Sequence, residues 1–162
     1  MSRLISTNDT AKLIRKALKD NFPDTKFGVR SKKYSGGSSI TVSYTDGPPY
    51  KAVKKVAERF EGASFDGMRD LKEYKTHVDE NGEMVHYGPD FVFVNRDYSD
   101  AATYWATRYV LETQHLTVWR NGELTDWDGE GDYNKESVMI GQSREYVDAY
   151  ARTRILQDLD LS

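Results

Sequence analysis

The stretch KYSGGSSITVSYTDGPPYKAVKK, Lys33 to Lys55, decides the fold, because a turn, a strand and a helix meet within it. Gly36-Gly37 is a turn signal, and Ile40, Val42 and Tyr44 alternate with polar residues as on a half-buried strand. Asp46-Gly47 and Pro48-Pro49 break that strand, after which Val53, Val56, Ala57 and Phe60 repeat at helical spacing. Pro48 or Pro49 suits the first helical position, where no N–H is needed, and Gly62 suits the position past the helix end. The spacing predicts a strand over 38–44 handing over to a basic helix.

Upstream, KFGVR (26–30) reads as a partner strand that packs Phe27 and Val29 beside Ile40 and Val42. Before it, Ser6 or Thr7 caps a helix, and Ser6 with Asp9 approximates a capping box. Leu13, Ile14, Ala17 and Leu18 give that helix its apolar face, and Pro23 ends it because proline lacks the donor. Residues 1–60 therefore read α-β-β-α.

Downstream, two Asn-Gly pairs mark hairpins. The turn at Asn81-Gly82 predicts Val78 opposite Val85 and His77 opposite His86. The turn at Asn121-Gly122 predicts Arg120 opposite Glu123 and Trp119 opposite Leu124. DFVFVNR (90–96) is expected as a buried strand. Ser99 caps a helix whose Trp105 and Tyr109 are expected in the core or at its edge. Ser143 is expected to cap a C-terminal helix carrying Tyr146, Val147, Tyr150 and Ile155. No repeat or long linker interrupts the pattern, so the expectation is one α+β domain over 1–162. It consists of the N-terminal α-β-β-α block, further antiparallel hairpins and two helices in the C-terminal half.

The 162 residues are 38% hydrophobic and 12% aromatic, a globular and not a disordered composition. With no cysteine, disulfide scaffolds, thiolate zinc sites and cysteine nucleophiles are all excluded. No apolar run approaches the roughly 20 residues that span a bilayer, and the N-terminus lacks a signal-peptide core. The expected location is the cytoplasm of a bacterial host, with no membrane contact. Charge is uneven: residues 1–60 hold 13 Lys/Arg against 5 Asp/Glu, and the remainder 10 against 21. Such asymmetry marks either a basic binding face or two halves that attract each other.

Few residues suggest catalysis. The Gly36-Gly37 turn leads into a strand, without the lysine and helix start of a phosphate-binding loop. Basic residues do gather around it: Arg30, Lys32, Lys33 and Tyr34 at the hairpin, with Lys51, Lys54 and Lys55 on the following helix. Cations interleaved with an aromatic suit a nucleic-acid backbone, each neutralising a phosphate. A solvated basic face is the alternative.

Three histidines limit acid–base and metal schemes. In the predicted register His77 and His86 are neighbours with Asp79 diagonal to His86, a partial metal-ligand set. Asp126, Asp128, Glu130 and Asp132 alternate like an EF-hand loop, but position twelve is Ser137 instead of glutamate. His115-Leu116-Thr117 supplies half of a two-histidine phosphoesterase, while His77-Val78-Asp79 fails at its third position. None of these sets is complete, so no metal, cofactor or catalytic set is expected.

LISTNDTAKLIRKAL, KYSGGSSI and FEGASFDGM, followed by HYGPDFVFVNRDYS, occur in order over 4–98. Together they resemble one of the numbered large polyvalent protein-associated domains, carried by phages, plasmids and conjugative elements. Residues 99–162 carry no such resemblance. The resemblance implies an accessory protein of a mobile element and brings no catalytic residues with it. The leading reading is a non-enzymatic accessory protein that binds a host or defence component. A nucleic-acid-binding domain using the basic face, and a metal-assisted or phosphoesterase enzyme, stand as alternatives.

Overall fold

The computed structural model describes residues 2–66, 68, 71–114, 116–120, 123–127, 138–140, 143–144 and 147–162. The chain divides into two compact units, Met1–Asp97 with Asp160–Ser162, and Tyr98–Leu159.

The first unit opens with a short strand β1 (Arg3–Ile5) and helix α1 (Thr7–Asn21). Ser6 caps α1: its hydroxyl accepts from the Asp9 amide at 3.2 Å and donates to the Asp9 carboxylate at 2.7 Å. Lys12 and the Ser6 hydroxyl both hold that carboxyl below its ordinary pKa. Strands β2 (Gly28–Tyr34) and β3 (Gly37–Thr45) form the predicted hairpin, each longer than its alternating core suggested. Helix α2 (Tyr50–Ala57) follows. Both prolines precede it; Pro49 caps it with ψ 141°, and Pro48 gives its carbonyl to the Tyr44 hydroxyl at 3.0 Å.

Gly62 is no helix cap, because a 3-10 turn (Glu58–Phe60) ends α2 first. A Cβ there would collide with the backbone carbonyls of Tyr87 and Pro89, so glycine serves close approach. Four short strands come next: β4 (Ala63–Asp66), β5 (Leu71–Tyr74), β6 (His77–Val78) and β7 (Met84–Tyr87). The unit's last strand is β8 (Phe91–Asp97).

These strands make a β2-β3-β8 sheet, a β1-β7-β6 sheet and a β4-β5 ribbon. In the first, β3 is central, antiparallel to β2 and parallel to β8. Helices α1 and α2 cover one face only. Ile14 and Leu18 of α1 and Val53 and Ala57 of α2 meet Val29, Ile40, Val42, Tyr44 and Val92 in one core. Each of the larger aliphatic side chains contributes roughly 1.5–3 kcal/mol by leaving water. The helix-strand-strand-helix block is thus present, and the fold class is α+β.

In the second unit α3 (Asp100–Thr113) is capped as expected, Ser99 accepting from the Ala102 amide at 3.2 Å. Strands β9 (Leu116–Arg120) and β10 (Glu123–Asp126) pair Arg120 with Glu123 and Trp119 with Leu124, as the Asn-Gly spacing predicts. Strands β11 (Val138–Ile140) and β12 (Ser143–Arg144) complete a sheet ordered β10-β9-β11-β12. Ser143 is therefore not a helix cap: it pairs with Ile140 in β12, and α4 (Val147–Tyr150) starts later, continuing as a π-helical turn (Ala151–Leu156). The aromatic stripe of α3 is also not core. Trp105 and Tyr109 stack at 5.6 Å but are 49% and 45% exposed. The helix instead buries Ala106, Thr107 and Val110, the first being small enough for close packing against the helix carrying the buried Ala151.

Candidate nucleic-acid interface

Alternation along β2 determines where its charged side chains go. Val29 enters the core, the Ser31 hydroxyl donates to Asn8 at 3.1 Å, and Ser38 of β3 bonds Thr7 at 2.6 Å. That side of the sheet lies under α1. Arg30, Lys32 and Tyr34 consequently project from the opposite side, and Lys33 shares the helical side. Lys51, Lys54 and Lys55 lie on exposed positions of α2, in the helical layer. The sheet thus separates the seven residues into two surfaces, because α2 packs over β8 while β2 is the far edge. Lys54 also rests over the Tyr50 ring at 5.9 Å.

The face turned away from α1 and α2 holds two rows across three strands. Arg30, Thr41 and Phe93 form one, and Lys32, Ser39 and Phe91 the other. Phe91 and Phe93 have centroids 6.1 Å apart, with 31° between their planes. Phe93 is 52% exposed, and Arg30 and Lys32 are exposed without an ion pair among the described residues. Sequence reasoning missed both phenylalanines. The expected buried strand is instead an edge strand: Val92 and Val94 face the core, leaving Phe91 and Phe93 outward. Their signal was the two-residue period within FVFV.

One end of this face is closed by a polar anchor. Asp90, 5% exposed, pairs with Lys72 at 2.6 Å, accepts from the Ser38 amide at 3.3 Å and from the Tyr34 hydroxyl at 3.3 Å. Burial, then the Asp90 charge, pushes the Tyr34 phenol above its ordinary pKa, and the Asp90 bond raises the Lys72 ammonium. Tyr34 is therefore committed to structure at its hydroxyl.

The histidines are not brought together. The hairpin pairs His77 with Val85 and Val78 with Met84, one residue out of the expected register. Asp79 causes the slip. Its carboxylate accepts from the amides of Asn81 and Glu83, both at 2.9 Å, and its own amide reaches the Glu83 carbonyl. This closes a three-residue loop with Gly82 at φ 80°. His77 and His86 then lie on opposite faces, as a one-residue shift requires. The His77 ring bonds the Glu61 carbonyl at 2.9 Å and the His86 ring the Lys75 carbonyl at 3.1 Å. Among the described residues no cluster of three metal-ligating side chains occurs. Asp126 is described and exposed; Asp128, Glu130, Asp132 and His115 lie outside the described residues.

A cleft of about 700 Å³ opens beside the β1-β7-β6 sheet, lined by Arg3, Lys16, Asp20, Arg59, His77 and Tyr87 among others. Its cations are balanced by Asp20 and by Asp79, which pairs with Arg3 at 3.3 Å.

An α+β domain whose main sheet carries its helices on one face is the class that these observations define. The chain belongs to the large polyvalent protein associated domain 29 family, which it matches over residues 5–99. The match ends within two residues of the boundary of the first unit. Membership supports an association with phages and other mobile elements. No curated protein and no solved structure matches the chain. Among the described residues no helix is long and apolar enough to cross a membrane.

Proposed function

We propose that the protein is an accessory factor of a phage or other mobile element that acts by binding, and that its N-terminal unit engages nucleic acid. On this reading it works in the cytoplasm of a bacterial host. The observation that supports it is the co-facial arrangement of Arg30 and Lys32 with Phe91 and Phe93 on the sheet face turned away from the helices. Cations there neutralise phosphates, and both rows are free of carboxylates. Anisotropy titrations at several salt concentrations test the reading. Replacing Arg30 and Lys32 by Gln weakens binding and flattens the log–log salt slope by roughly 0.7–0.9 for each phosphate that is no longer neutralised. Replacing Lys54 and Lys55, on the helical side, changes it much less. Equal weakening by both pairs of substitutions would place the interface elsewhere.

A host or defence protein as partner is the second reading, favoured by Tyr104, Trp105 and Tyr109, all at least 45% exposed on α3. Aromatics of this kind anchor protein interfaces. A Trp105→Ala change that releases a captured host protein, while nucleic-acid binding persists, supports it.

A further inference from the structure

We infer that the sheet face turned away from the helices takes single strands, with bases stacked on the exposed Phe93 and the partly exposed Phe91 and the backbone along Arg30 and Lys32. This rests on reading the face as a nucleic-acid interface, and it names the form bound. Three features favour it. The cations are on one edge strand and the rings on the other, two strand spacings or about 10 Å apart, so backbone and bases of one strand can each find a partner. Arg30 and Lys32 are two residues apart, as are Phe91 and Phe93, which repeats both interactions in step along the strand direction. Ser39, only 7% exposed beneath its larger neighbours, and Thr41, partly exposed, lie between the edges, a floor without charge or bulk.

A duplex cannot use this arrangement, because its base faces are already stacked within the helix. It could use only the two cations. Stacking is tolerant of sequence, since every base has a π-face, so discrimination should be by strandedness and not by base. Phe93 is half in water, and the core closes without it, so its replacement does not empty a packed site.

The test titrates the full chain against labelled oligo-dT, oligo-rU and a duplex of equal length. Wild type is expected to bind both single strands more tightly than the duplex. Phe93→Ala is expected to weaken single-strand binding about 5- to 160-fold. Its duplex affinity and salt slope stay unchanged, and Phe93→Trp restores the preference. Arg30→Gln with Lys32→Gln lowers the salt slope for all three ligands. Duplex binding equal to or tighter than oligo-dT, or a Phe93→Ala variant with unchanged single-strand affinity, overturns the inference while leaving the nucleic-acid reading standing. Absence of binding to every ligand at low salt overturns both.

Discussion

Asp90 is a carboxylate that the protein encloses and then satisfies: its side chain is 7% exposed and meets Lys72, the Ser38 amide and the Tyr34 hydroxyl. Lys72 also reaches the Gly36 carbonyl at 3.3 Å, so one ion pair ties the β4-β5 ribbon to the β2–β3 turn. Asp90→Asn keeps the shape, removes the charge, and is expected to cost about 2 kcal/mol at neutral pH, as for other charged hydrogen bonds. The Tyr34 and Lys72 pKa values are both raised in the fold, so their contributions are complete below the unfolded values. They disappear as pH rises through the folded values. The stability gap between wild type and Asp90→Asn should therefore narrow on the alkaline side, and Tyr34 in the variant should ionise at lower pH. Urea unfolding across pH, with carbon NMR of the tyrosines, checks both. Parallel stability curves would show that Asp90 does not couple to either group. None of this was legible in the sequence, because Lys72 and Asp90 are distant in the chain and meet only through tertiary structure.

Local signals were read well where the element was self-contained. Ser6 and Ser99 cap their helices, and the Arg120–Glu123 register follows from Asn-Gly spacing alone. The β6–β7 hairpin departed because Asp79 offered its side chain to two loop amides, which lengthened the loop by one residue. Asp79→Ala removes both acceptors and is expected to cost about 1–2 kcal/mol and to expose the Glu83 amide to exchange. Arg3→Ala removes only an ion pair whose arginine is largely exposed, leaves Asp79 its two loop amides, and should cost about 1 kcal/mol or less. Thermal melts and amide exchange of the two variants make the comparison; equal destabilisation would mean the ion pair, not the loop, sets the register. For β8 the error lay in partner and not in period. An apolar run suits a strand covered on both faces, but β8 is an edge strand, and only one of its faces meets helices. Half of the proposed interface, the cations, was therefore visible from composition. The aromatic half needed the pairing with β3.

At the scale of the molecule, the charge asymmetry was readable and the division into units was not. Residues 1–97 hold 17 Lys/Arg against 14 Asp/Glu, and residues 98–162 hold 6 against 12. No glycine- or proline-rich linker marks the boundary: β8 ends at Asp97, and Ser99 already caps α3. Yet every member of the main core lies before residue 98, and the family match ends at residue 99. From beyond that point Asp160–Ser162 joins the first unit, where the Leu161 amide donates to the Gly47 carbonyl at 2.7 Å. A chain of residues 1–99 should therefore fold cooperatively, having lost at least the Leu161 hydrogen bond, worth about 1 kcal/mol. It also sheds a net charge of −6. If the sheet face binds nucleic acid, the shorter chain should bind oligo-dT more tightly than the whole protein at low salt. The difference should close as ionic strength rises, since screening reaches about 10 Å at 0.1 M. A single calorimetric transition and dispersed amide resonances establish the fold, and anisotropy at several salt concentrations establishes the binding. A shorter chain that melts without cooperativity would show that residues 98–162 complete the core. One that folds but no longer binds would put part of the interface in the second unit.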